Sequence, residues 1–483
     1  LGSYLLGIAL GSLGTRWFCS QRESDVRHLR PLAAFVVLAS LFGFLLVPAL
    51  GRWVVYFHWT KTGFLNEWST SFPLVAIAAG MFGAILPLVS HFGIRPDDLA
   101  GSRLSIVYVG NIVGSTTGSL LTGFVLLSLF PLARISTGLT VLGLALALGL
   151  ALASGLSRAG RIAATLGTAA AVAAVVVSSG PVHDRLYERL QLRDEFTEGT
   201  RFAHVKESRY GVITVTEDGR IFGGGAYDGR FSTSLVEDSN WIVRGYAISA
   251  MHPAPKEVLM VGLSSGSWAQ VVAHAPGVER LTIVEIDPDY LEIIEEYPEV
   301  RSLLANPRVE IEIDDGRRWL TRHPERTFDF IVQNTTHHWR AHITNLLSVE
   351  YLDLVRSRLA PGGIFYYNTT WSDSAMRTAV ETFPHALRVL NFMAVSDSPI
   401  PFDGPRWRRD LEAWRIDDRP VFDLAREDHR KRLEEVVGLA STFSSEQMSL
   451  ERREDLRARL EDRRVRVITD DNMVSEWKVE HDD

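Results

Sequence analysis

The run Gly262-Leu263-Ser264-Ser265-Gly266 has the composition of a ligand-cradling loop. Glycine reaches backbone angles closed to other residues and leaves room for a ligand to approach the main chain, which is the use of Gly262 and Gly266. Glu285 closes the next apolar run, and a carboxylate there can accept hydrogen bonds from both hydroxyls of a ribose. A glycine loop alone says little. An acidic residue about 20 positions later makes a nucleoside site the better reading.

These residues need a scaffold that delivers them to one edge. Glu257–Val261 is an apolar strand, and 267–274 begins a helix. Further strands cover 281–284, Val309–Ile313 and 328–332; the last two run into Asp314-Asp315-Gly316 and Gln333-Asn334-Thr335-Thr336. A helix over 350–359 stops at Ala360-Pro361-Gly362-Gly363, and 364–368 is a strand. Strands alternating with helices predict a doubly wound, Rossmann-like sheet of mostly parallel strands, with ligands at their carboxyl ends. This domain is expected over 251–402. Before it, 205–210, 212–216 and 220–222 read as a small antiparallel unit within 181–250, turned at Glu217-Asp218-Gly219. Gly223-Gly224-Gly225 reads as a loop. Residues 403–483 are charge-rich and read as a helical extension with solvated faces.

The two ends of the chain differ sharply. Residues 1–180 hold 11 Lys+Arg and 5 Asp+Glu, a net of +6, and the remainder carries −14. An acidic second part excludes a general nucleic-acid binder, which needs a basic face to meet phosphates. The single cysteine, Cys19, excludes an intrachain disulfide and a multi-cysteine zinc site. Apolar runs near 31–57, 71–93, 104–130, 133–156 and 161–179 are long enough to cross a bilayer, which takes roughly 20 residues. Residues 1–14 read as the end of another span, continuing an upstream segment. This first part is expected to be an all-α transmembrane bundle. Gly110, Gly114 and Gly118 lie along one helix face and are expected to admit a close helix crossing, with Asn111 beside it. The spans carry no Asp, Glu or Lys near their centres, which argues against an ion relay or a transporter.

Taken in order, 258–266, Val284-Glu285-Ile286-Asp287-Pro288, Asp314-Asp315-Gly316-Arg317, 328–332 and Leu359-Ala360-Pro361-Gly362-Gly363 resemble spermidine synthase and its aminopropyltransferase relatives. Tyr108-Val109-Gly110-Asn111 through Gly118 and Gly123, and the closing Thr469-Asp470-Asp471-Asn472, resemble the membrane-fused branch of that family. The resemblance implies that Gly262, Ser264 and Gly266 hold the methionine part of an S-adenosylmethionine-type cofactor, intact or decarboxylated. It implies that Glu285 holds the ribose and Asp315 the adenine amino group. Ser264 stands where the family has its middle glycine.

The amine side departs from the family. Asn334-Thr335-Thr336-His337 replaces an acidic run that holds and deprotonates the attacking amine, so the base role passes to His337, whose unperturbed pKa lies near neutrality. Tyr210-Gly211 replaces a Tyr-Gln pair, and the acidic helix motif is reduced to Glu237-Asp238 with Trp241. Tyr210 and Asn334 join His337 as candidate catalytic residues. His337, His338 and His342 around Trp339-Arg340 stay open between a catalytic group, a structural loop and, least of all, a metal site. Arg340 would favour an anionic group.

Two readings remain at this stage. One is a membrane-anchored transferase acting on a small amine or a lipid-associated acceptor. The other is an inactive structural or regulatory subunit, with membrane-protein partners or a second copy of the chain. Both are integral to a membrane, expected to be the bacterial inner membrane. The basic loop Arg16, Arg22, Arg27, Arg30 puts the second domain on the far side by the positive-inside rule. The retained nucleoside-binding carboxylates favour the cytoplasmic side, where such cofactors occur.

Overall fold

The computed structural model describes all residues except 21–28, 58–64, 96, 335–342, 463–464 and 473–483. It forms two compact units, Leu1–Gly211 and Val212–Asp483.

The first unit contains the helices α1 (Gly2–Ser20), α2 (Leu29–Phe57), α3 (Leu65–Gly93) and α4 (Ala100–Leu121), then Leu132–Ala153 and Arg158–His183, and the strand β1 (Phe202–Ser208). Leu29–Val55, Ser71–Gly93, Ala100–Leu129, Leu132–Ala153 and Arg158–Glu195 are each long and apolar enough to cross a membrane. The close crossing is not where the glycine spacing placed it. A Cβ added to Gly110, Gly114 or Gly118 would meet nothing within 4 Å, and α4 buries no residue among those described. The tight contact joins α1 to α3 instead. A Cβ on Gly11 would strike the backbone of Gly80, and one on Gly7 the backbone of Ala76. Small residues on both helices let the main chains touch, and Ser12 Oγ donates to the Gly83 carbonyl at 3.0 Å across the crossing.

In the second unit, β2 (Gly211–Thr216), β3 (Arg220–Gly223) and β4 (Ala226–Arg230) pair antiparallel in that order. The main sheet has eight strands. It uses β5 (Glu257–Val261), β6 (Arg280–Glu285), β7 (Val309–Ile313), β8 (Phe328–Gln333), β9 (Leu359–Asn368), β10 (His385–Val389) and β11 (Phe392–Ser396). After a hairpin of β12 (Arg415–Ile416) and β13 (Arg419–Pro420), β14 (Leu450–Arg452) completes it in the order β14-β10-β11-β9-β8-β5-β6-β7. β9, β8, β5, β6 and β7 run parallel, and the other three are antiparallel additions. Successive side chains on a strand face opposite ways. Val258 and Met260 therefore enter the core with Trp268 and Phe330, while Leu259 and Val261 enter the other with Trp319 and Tyr351. Burial on both faces explains the unbroken apolar runs in the sequence. The strand order reverses between β5 and β8, and a crevice at such a reversal is where doubly wound sheets bind ligands.

The extension after 402 holds the helices Gly404–Ala413, Glu427–Gly438 and Arg453–Asp462, and it also supplies β14 to the sheet. That strand enters because Leu450 is wholly buried against β10 and Glu451 pairs with Arg388 at 2.7 Å inside the core. The closing motif is anchored as well. Asp470 accepts both terminal nitrogens of Arg317, at 2.8 and 2.6 Å, and the Ser348 hydroxyl at 2.7 Å. Arg317 also donates to the Asn345 carbonyl at 3.0 Å, so the tail tethers the segment following residue 342. Asp470→Ala should cost about 1 kcal/mol, since the pair is partly solvated. It should also speed amide exchange at 343–348, measured by hydrogen–deuterium exchange; unchanged exchange there would remove the tether from the account.

Candidate active site

β5 ends at Val261, and the N–H of the following Gly262 donates to the Val284 carbonyl at 2.9 Å. The chain then turns through positive φ at Gly262 (+90°), Ser264 (+51°) and Gly266 (+75°). A Cβ at Gly262 would point into open space among the described residues, so a ligand can reach the backbone there. Ser264 is a non-glycine residue in the left-handed region, and its hydroxyl donates to the Asp228 carbonyl at 2.6 Å, which holds the turn. At Gly266 an added Cβ would sit 3.0 Å from Ile294 Cδ1. Gly266→Ala should therefore destabilise the unit by about 1–2 kcal/mol and weaken nucleoside binding. Thermal melting and ligand titration measure the two losses, and unaltered values would show that the turn tolerates a side chain.

Glu285 closes β6 and is only 4% exposed. Its Oε2 accepts the Leu263 N–H at 2.7 Å and its Oε1 the Asp287 N–H at 2.9 Å, so it staples the glycine loop to its own turn. Burial pushes its carboxyl up to about 7, partly opposed by those two N–H bonds. A carboxylate offers about four acceptor positions, so two backbone donors leave capacity for ligand hydroxyls. The Glu285 carbonyl accepts the Asp314 N–H at 3.0 Å, which brings the next loop alongside. Asp315 caps the helix Gly316–Arg322, accepting the Arg318 N–H at 2.8 Å. Gly262, Ser264, Gly266, Glu285 and Asp315 thus stand on three adjoining loops at the carboxyl edge.

Beside the glycine loop lies a cavity of about 340 Å³. Asn334, at the end of β8, lines it. The loop after it, with His337, His338, Trp339, Arg340 and His342, lies outside the described residues. Tyr210 belongs to the first unit, where Arg209 donates to its hydroxyl and stacks 4.7 Å from its ring.

Trp241, named with the reduced acidic motif, also lines the cavity, and most of the other walls are residues that sequence patterns did not single out. Asp228 is the only carboxylate among the described lining residues, and its Oδ2 accepts the Tyr290 hydroxyl at 2.7 Å. Arg244, 9% exposed, donates to the Trp241 carbonyl at 2.8 Å, the Asn240 carbonyl at 3.1 Å and Asn391 Oδ1 at 2.8 Å. Burial lowers its pKa to about 10, which leaves it charged at neutral pH. Asn391 Nδ2 donates to Asn368 Oδ1 at 2.9 Å, and Asn368 Nδ2 donates to Asn334 Oδ1 at 3.1 Å. Across the cavity the Tyr227 hydroxyl donates to Asn240 Oδ1 at 2.8 Å. Asn368 was legible in one respect, as the residue ending a strand at the ligand-binding edge. Asp228 and Arg244 carried no local signal.

The chain was compared with known proteins. Residues 247–383 match the spermine/spermidine synthase domain. A polyamine aminopropyltransferase of Desulforudis audaxviator is 28% identical over 200 residues, 39% of this chain and 69% of that protein. Polyamine aminopropyltransferase 1 of Streptomyces coelicolor is 26% identical over 401 residues, 75% of this chain and 70% of its own. A crystal structure of spermidine synthase in complex with the transition state analogue AdoDATO aligns with 50% of this chain and 89% of its own, at 18% identity and a TM-score of 0.39.

Proposed function

We infer that this chain, a member of the spermidine synthase-like family, is a transferase that moves the aminopropyl group of decarboxylated S-adenosylmethionine onto an amine. The donor supplies a sulfonium: the amine nitrogen bonds to the adjacent carbon as the carbon–sulfur bond breaks, sulfur keeps the pair as a neutral thioether, and the nitrogen sheds a proton. The single observation that carries this reading is the Ser264–Asp228 contact at 2.6 Å. It joins the loop assigned to the donor with Asp228, which lines the neighbouring cavity.

The residues fit the two jobs. Gly262 leaves its backbone open, and Glu285 retains acceptor capacity toward a ribose. Asp228 can hold an ammonium group and take its proton, and alignment of amine and donor supplies much of the remaining rate. Five helices long and apolar enough to span a bilayer support a membrane-anchored enzyme, which suits an acceptor delivered at or within a membrane.

The test uses the full chain in detergent or nanodiscs. Decarboxylated donor with an amine panel should release the thioether nucleoside in step with acceptor consumption. No donor binding at high micromolar concentration, or no release with any amine, would count decisively against the reading. A reporter fused at the carboxyl terminus gives the side of the membrane.

A further inference from the structure

We propose that the cavity between Asp228 and Arg244 holds an amino-carboxylate group, so that one ligand of this enzyme is a zwitterion rather than a simple diamine. The proposal rests on the transferase reading of the site and specifies its substrate class.

An amide's oxygen and nitrogen are told apart by their partners. Arg244 can only donate, so the Asn391 atom it meets is the oxygen. Asn391 must then donate to Asn368, and Asn368 in turn to Asn334. The chain ends at the Asn334 oxygen, which takes one bond from Asn368, and the Asn334 NH₂ lies outside the chain. At Asn240 the Tyr227 hydroxyl donates to the amide oxygen, which leaves the NH₂ group outside that bond. Asn240, Asn334 and Arg244 all line the cavity, and each has N–H capacity beyond the bonds just named.

Charge points the same way. Arg244 has no carboxylate within ion-pair distance among the described residues. Asp238 is engaged by Arg432 at 3.2 Å. A buried guanidinium held by carbonyls, an amide and the ring faces of Trp241, Trp268 and Phe392 still lacks an anionic counter-charge among the described residues, and a bound carboxylate supplies one. A donor-lined wall repels an ammonium group, because such a group is itself donor-only. Only Asp228, on the glycine-loop side, suits an ammonium. The cavity is therefore dipolar, acidic at one wall and cationic at the other.

The carboxylate can come from an amino-acid acceptor or from the methionyl end of an intact donor, and binding distinguishes them. Calorimetry on the full chain compares 4-aminobutanoate with 1,4-diaminobutane and n-butylamine, and S-adenosylmethionine with its decarboxylated form. In one of the two sets the carboxylate-bearing member should bind at least about tenfold tighter. Arg244→Gln should erase that ratio, and Arg244→Lys should keep part of it. Should Arg244→Gln fail to fold, Asn334→Asp decides: it keeps the oxygen that Asn368 needs but turns the cavity donor into a carboxylate, and should shift preference toward the diamine. The proposal is overturned if the diamine and the decarboxylated donor bind as tightly as their carboxylate counterparts. A preference confined to the donor set would support it while sinking aminopropyl transfer; productive transfer to the diamine, with no carboxylate preference anywhere, would do the reverse.

Discussion

Asp228→Asn lowers turnover by about 10²- to 10⁴-fold, the range expected for removing a positioned proton acceptor, while donor affinity holds. The substitution is nearly isosteric, and the amide oxygen can still accept the Tyr290 hydroxyl that now bonds Asp228 Oδ2 at 2.7 Å. The Ser264 hydroxyl bonds the backbone carbonyl of residue 228, so the glycine loop keeps its anchor. What is lost is the one carboxylate among the described residues lining the cavity. The check is a kcat and KM comparison across pH with saturating donor. Undiminished turnover would remove Asp228 from the chemistry. A loss on His337→Ala alone would return the base role to the residue that stands where this sequence departs from the family's acidic run.

Glu285→Ala should destabilise the second unit by about 2–6 kcal/mol, as two buried N–H groups, of Leu263 and Asp287, lose their acceptor at about 1–3 kcal/mol each. It should also abolish donor binding, since the glycine loop loses its staple. A pH signature accompanies it. Burial raises the Glu285 carboxyl from its ordinary value to about 7, so the folded chain binds a proton that the unfolded chain releases near pH 4.5. The associated stability is complete below about pH 4.5 and is lost as pH rises through about 7, by up to roughly 3 kcal/mol. Glu285→Gln, which cannot titrate, should flatten that slope in denaturant unfolding between about pH 5 and 8. A wild-type contribution that grew with pH across this window would contradict the buried, protonated carboxyl.

Much of this was written locally. Apolar strands buried on both faces, alternating with helices, are visible as runs, and parallel connectivity then forces Gly262, Glu285, Asp315 and Asn334 to one edge. The helices of the first unit are legible because a bilayer-length apolar run is a one-dimensional property. Their packing is not. Glycine spacing in α4 looked like a crossing, yet the close approach uses Gly7 and Gly11 against Gly80 and Gly83. A crossing needs small residues on both partners at the same height, and no single segment records the height of another. The strand β14 was hidden for a related reason, being three residues long and recognisable only by what it pairs with.

The sequence by itself determined the parallel part of the sheet, the apolar helices and the donor-side loops, because periodicity and connection rules act over a few to a few dozen residues. The character of the cavity was decided only by the tertiary structure. Ser264 meets residue 228 across 36 positions, Arg244 meets Asn391 across 147, and Arg317 meets Asp470 across 153. Whether an asparagine shows a ligand its oxygen or its nitrogen depends on which partner takes the other atom, and here that partner comes from a distant strand. The same composition folded with a different neighbour at Asn391 would line the cavity with acceptors and select the opposite charge.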